Sequence, residues 1–149
     1  MSSTVKATIE HVNHTTSRAT VRTHTVLVDR GVTGGGFDLG PAGGEYMLVS
    51  LGGCFTSHLL AAIRAREAAV SNVRVAVTGT MDGTPERFTA LTMDVSATCE
   101  DADLLRKLTT IAGRSCQVVN TLRRAATVAI SCAGSPIELG EVAAVGAQT

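Results

Sequence analysis

Aromatic side chains are scarce in this chain: one Tyr, three Phe and no Trp among 149 residues. That leaves no platform on which the bases of a single-stranded nucleic acid would stack. An excess of either charge is missing too. Lys plus Arg and Asp plus Glu number 13 each, so neither nucleic acid nor an anionic membrane surface is expected as a partner. No run approaches the roughly 18 apolar residues of a membrane span. The opening "MSSTVKATIEHV" lacks the apolar core of an export signal. The expected location is therefore cytoplasmic. The cysteines Cys54, Cys99, Cys116 and Cys132 form no CxxC pair. His11, His14 and His24 show no zinc spacing, so neither a metal nor a cofactor is expected. A chain of this length builds its core without staples, and reduced thiols are the default.

What is present reads as a single α+β domain over residues 1–149. Residues 5–12 and 18–28, rich in Val and Thr, read as two strands around the turn "NHTTS". Residues 29–44, "DRGVTGGGFDLGPAGG", hold seven glycines and form a loop. It lacks the lysine and hydroxyl of a P-loop and fits no GxGxxG. Residues 1–39 thus comprise N-terminal strands and Gly-rich loop. A long helix is expected from Glu45 to Ala69, with Met47, Leu48, Leu51, Phe55, Leu59, Ala62 and Ile63 at helical spacing. Residues 73–81 and 87–99 alternate with the strand period and are joined by "DGTPE", which predicts a hairpin in an antiparallel sheet. A helix from Asp101 to Ala112 follows, interrupted by Gly113. Ser115 is placed to cap a short helix from Cys116 to Ala125. Residues 126–132 are a last strand, and the tail 140–149 is expected to fray.

Cys99 and Cys132 fall on the apolar phase of their strands and read as small core residues. Cys54 and Cys116 differ. Cys54 follows Gly52 and Gly53, an adjacent pair that weakens a helix by roughly 1 kcal/mol per residue relative to alanine. Cys116 opens a helix beside Arg114, where the helix dipole and the arginine would both lower a thiol pKa. His58 lies four residues after Cys54 on the same helix face. It could draw Cys54 toward thiolate, pair with it as a metal ligand, or be a partly buried histidine satisfied by a carbonyl.

Two motifs carry a resemblance. "GGFDLGPAGGEYMLVSLGGCFTSHLLAAI" resembles the first motif of the OsmC/Ohr family, the osmotically induced and organic-hydroperoxide-resistance proteins, with Glu45 and Cys54 nine residues apart. "SCQVVNTLRRA" resembles the second, with Cys116 opening a helix. Gln117 stands where the family usually has proline, and Gly43 and Gly44 replace the proline before the glutamate. The Gly-rich loop looks closer to the OsmC-like branches than to Ohr. The resemblance implies antiparallel sheets packed around a long central helix in an intertwined homodimer, with active sites at the interface.

The implied activity is that of a thiol peroxidase acting on organic hydroperoxides in stress defence, with Cys54 attacking and Cys116 resolving. A dithiol reductant, a lipoylated protein or a small thiol, would complete the cycle. An arginine would hold the thiolate. Arg18, Arg22 and Arg30 are all open, Arg30 being favoured because it lies in the loop before the motif. Glu45 would orient that arginine, or act only as a helix N-terminal acid. Met47, Leu51, Phe55 and Leu59 would form apolar walls for the peroxide. Nine residues turn an ideal helix by about 900°, however, so Glu45 and Cys54 face opposite sides. Either the first turn is irregular or the site is assembled between subunits. The alternative is a non-catalytic OsmC-like dimer that binds a small apolar ligand in its interface pocket.

Overall fold

A computed structural model describes residues 1–141 of the protein. Residues 142–149, most of the tail expected to fray, lie outside the described residues. The chain divides into two compact units, Met1–Met47 and Leu48–Thr149.

The first unit is a three-stranded antiparallel meander of β1 (Thr8–Asn13), β2 (Thr16–Val21) and β3 (His24–Val28). The single strand expected over 18–28 is split at Arg22, which adopts a left-handed φ of 56°. Ile9, Ala19 and Val26 pair across the sheet in one row, and Ile9 and Val26 are exposed. The Gly-rich loop that follows is organised by Asp29, which the sequence reading did not single out. Its carboxylate accepts from the hydroxyls of Thr15 and Thr16 and the amides of Arg30, Phe37 and Leu39, at 2.7–3.2 Å. A Cβ on Gly40 would stand 2.8 Å from the carbonyl carbon of Leu27, so only glycine lets the loop fold back on β3 here.

Helix α1 runs from Gly43 to Ala65, starting and ending earlier than expected. It is regular from its first residue, so the alternative of an irregular first turn falls. By length and hydropathy α1 could cross a membrane, with an 18-residue window averaging 1.5. This corrects the expectation of no such run. Leu51, Phe55 and Leu59 are nonetheless fully buried in the second unit, as in a core helix.

The second unit holds a four-stranded sheet in the order β4-β5-β6-β7. The expected hairpin is β4 (Ser71–Asp82) and β5 (Arg87–Thr98). Leu91, Met93 and Val95 of β5 are buried at alternate positions, as the strand period requires. Strand β6 (Thr127–Cys132) pairs parallel to β5, so the sheet is mixed rather than purely antiparallel. The reason is the connection: helices α2 (Ala102–Ser115) and α3 (Gln117–Leu122) carry the chain back before it re-enters the sheet. A short β7 (Ser135–Ile137), absent from the sequence reading, pairs antiparallel to β6. Asp101 caps α2 by accepting from Leu104 N.

Gly113 does not interrupt α2. It is buried inside the helix, where a Cβ would stand 2.6 Å from Leu139 Cδ2 and 3.0 Å from Ile130 Cδ1. The glycine serves packing, which a pattern along one helix does not show. Gly52 has the same explanation. A Cβ there would meet Val77 Cγ2 at 2.7 Å, so its bare backbone lets α1 lie against β4. Gly53 has nothing within 4 Å of a Cβ.

Candidate functional site

Cys54, His58, Cys116 and Gln117 come together within the second unit. Cys54 and His58 are one helical turn apart on α1, and both are half-buried. Cys116 ends α2 and caps α3, a place the sequence reading gave to Ser115. Its backbone is extended, and its sulfur accepts from Val119 N at 3.5 Å. Gln117, the first residue of α3, projects its amide back to α1. Its Oε1 accepts from Cys54 Sγ at 3.4 Å and lies 2.8 Å from His58 Nε2. Since one oxygen faces both groups, Nε2 carries a proton in this arrangement.

Neither cysteine is in a disulfide, and the two differ in environment. Cys116 is fully buried. Burial pushes its thiol up to about 11, and the neighbouring Cys54 adds to the rise. The expected lowering at a helix start is corrected: the Val119 amide works in that direction, but loss of solvent outweighs it.

The other expected site residues are distributed differently. Leu51, Phe55 and Leu59, expected as substrate walls, have no exposed surface; they belong to the core. Met47, Glu45 and Arg30 lie in the first unit. The Glu45 carboxylate accepts from Ala42 N at 2.9 Å, reaching back over the helix start, an arrangement that satisfies an unpaired amide of the first turn. Arg30 is exposed, and its backbone amide donates to Asp29. Cys132 is buried as expected, whereas Cys99 is half-buried, with Sγ donating to the Asp101 carbonyl at 3.1 Å. Strand β5 ends at Thr98, so Cys99 has left the sheet phase that predicted its burial. No cluster of three His, Cys, Asp or Glu residues suited to a metal occurs among the described residues.

Apolar surface lies elsewhere on α1. Leu48, Val49, Gly52, Gly53, Thr56 and Leu60 line an open groove of about 710 Å³ with Val73, Val75 and Val77 of β4. Val49 and Leu60 are exposed by 59% and 48%, and they share one contiguous apolar groove rather than standing singly.

The fold defines the class: an α+β protein built around one long helix, with Cys54 on that helix against Gln117 and a buried Cys116 beside Gln117 in the chain. The profile of OsmC-like proteins matches residues 35–131, and the chain belongs to that family. Among solved structures, a putative osmotic stress induced and detoxification response protein from Psychrobacter arcticus is 14% identical, with a TM-score of 0.76 over 89% of this chain and 98% of that one. A putative organic hydroperoxide resistance protein from Vibrio cholerae, with captopril bound in one of its active sites, is 17% identical, with a TM-score of 0.71 over 91% and 96%. An organic hydroperoxide resistance protein from Legionella pneumophila is 16% identical, with a TM-score of 0.66 over 87% and 96%. These likenesses establish the fold. Comparison with curated proteins gives no match.

Proposed function

We propose that the protein is a thiol peroxidase that reduces organic hydroperoxides to alcohols in peroxide-stress defence. The observation that carries this reading is a half-buried Cys54 whose thiol donates to Gln117, the residue that follows a buried Cys116. Cys54 as thiolate attacks the distal peroxide oxygen. The O–O bond breaks, the alkoxide takes a proton and leaves as alcohol, and Cys54 becomes a sulfenic acid. The Cys116 thiol condenses with it, releasing water and forming a disulfide. Two electrons from an external dithiol restore both thiols. A thiol cycle of this kind suits a reducing compartment such as the cytoplasm.

Family membership and names such as organic hydroperoxide resistance protein among the structural relatives support the substrate class. The apolar groove along α1, with the resemblance to a family of intertwined dimers, supports a homodimer with a second copy of this chain as its occupant, since contiguous exposed apolar surface marks an interaction site. The test of function is a thiol titration before and after one equivalent of cumene hydroperoxide. The expected result is rapid loss of two of the four thiols. Retention of all four at neutral pH would overturn the peroxidase reading and leave a binding module for a small apolar ligand.

A further inference from the structure

Gln117 occupies a position where the related motif has proline, a residue with no side-chain hydrogen-bonding group. Here the amide oxygen accepts from the Cys54 thiol while His58 Nε2 lies 2.8 Å away. A carbonyl oxygen satisfies a thiol, but it can only repel a thiolate, and the reactive form of a cysteine is the thiolate. Rotating the amide by about 180° exchanges its oxygen for an NH2 group with two protons. One would then point at the sulfur and the other at His58 Nε2, which must accept and so carry no proton. The same three side chains therefore have two self-consistent patterns. In one, the thiol donates to Oε1 and Nε2–H donates to Oε1. In the other, Nε2–H of Gln117 donates to the thiolate and to an imidazole protonated only at Nδ1.

We propose that Gln117 is a positioning residue that follows the Cys54 proton, its amide rotating on ionisation so that the thiolate gains a donor while His58 changes tautomer. The sulfur releases one proton to solvent. The imidazole loses its Nε2 proton and gains one at Nδ1, so its charge is unchanged. Among the described residues, His58 on α1 and Cys116 ahead of α3 are the titratable groups that meet the Cys54–Gln117 pair. Cys116, held as a neutral thiol by burial, adds no charge near neutral pH. The exposed position of Gln117 leaves its amide room to turn. The proposal takes its significance from the reading of Cys54 as the attacking thiol, but the hydrogen-bond exchange stands without it.

The test needs no peroxide, so it separates this proposal from the peroxidase reading. The rate of iodoacetamide alkylation at Cys54, followed peptide by peptide against pH, gives the thiol pKa. Losing one net hydrogen bond to the thiolate should raise it by about one unit in Gln117→Leu, slowing alkylation about tenfold at neutral pH. Gln117→Glu, which can only accept and is negative, should slow it further. An unchanged or faster rate in Gln117→Leu would overturn the proposal, since a group that only accepts from the thiol would lower the pKa when removed. The second measurement uses the unaltered chain. Long-range 1H–15N spectra of His58 should pass from the Nε2–H to the Nδ1–H tautomer as Cys54 ionises. A tautomer that stays fixed through that titration would also overturn it.

Discussion

Cys54 on α1 and Gln117 on α3 are separated by 63 positions in the chain and by 3.4 Å between Sγ and Oε1. That contact places the residue next to Cys116 against the Cys54 thiol, and the proposed peroxidase cycle would give the two cysteines unequal tasks. Cys54→Ser should abolish fast peroxide consumption. Cys116→Ser should consume about one equivalent and then stall as a sulfenic acid that excess peroxide over-oxidises. Mass spectrometry of each variant after peroxide checks the order. Oxygen added at Cys116 in Cys54→Ser, with none at Cys54 in Cys116→Ser, would reverse the roles. Cys132→Ser should keep the activity and lose about 1–3 kcal/mol of stability through a buried hydroxyl.

The groove along α1 makes oligomeric state measurable. Light scattering at micromolar concentration should give twice the chain mass of 15.3 kDa. Leu60→Lys, which places a charge in the groove, should shift the population toward monomer. A wild-type chain that scatters as a monomer would remove the dimer proposal.

Asp29 should govern acid stability of the first unit. Hydrogen bonds, that from the Thr15 hydroxyl first, hold its carboxyl at about 2 against the ordinary 3.8. A carboxyl with a depressed folded pKa stabilises above its unfolded pKa, and that contribution fades as pH falls through the folded value. The loss should fall between about pH 4 and pH 2. Asp29→Asn should be less stable at neutral pH yet flatter across that window in acid-unfolding curves. Equal slopes for the two chains would show that other carboxylates set the transition.

Gly52→Ala sets helix propensity against packing. Alanine gains roughly 1 kcal/mol in a helix interior. The new methyl would collide with Val77 Cγ2, a stiff branched side chain on a strand, and overpacking of this kind costs about 1–3 kcal/mol. The expected net effect is a lower denaturation midpoint with an unchanged m-value. A stabilised variant would mean that α1 and β4 can separate cheaply.

The sequence by itself determined the elements whose signal is local. The period of 3.6 along α1, the alternation of β5, and Asp101 ahead of α2 all appear in the structure because each depends on neighbours a few residues away. Cys54 and Cys116 were singled out through resemblance to two family motifs, and the structure brings Gln117, next to Cys116, against Cys54. Tertiary structure alone decided the rest. Gly52 and Gly113 looked like helix breaks because their reasons, Val77 and the Ile130–Leu139 pair, come from distant parts of the chain. Leu51, Phe55 and Leu59 looked like pocket walls because periodicity marks an apolar face without saying what covers it. Burial, not helix position, decided the Cys116 pKa, and desolvation is a property of everything packed around the sulfur. Gln117 read as a missing proline. Only the fold, by bringing α3 against α1, turned its amide into a partner for a thiol and an imidazole.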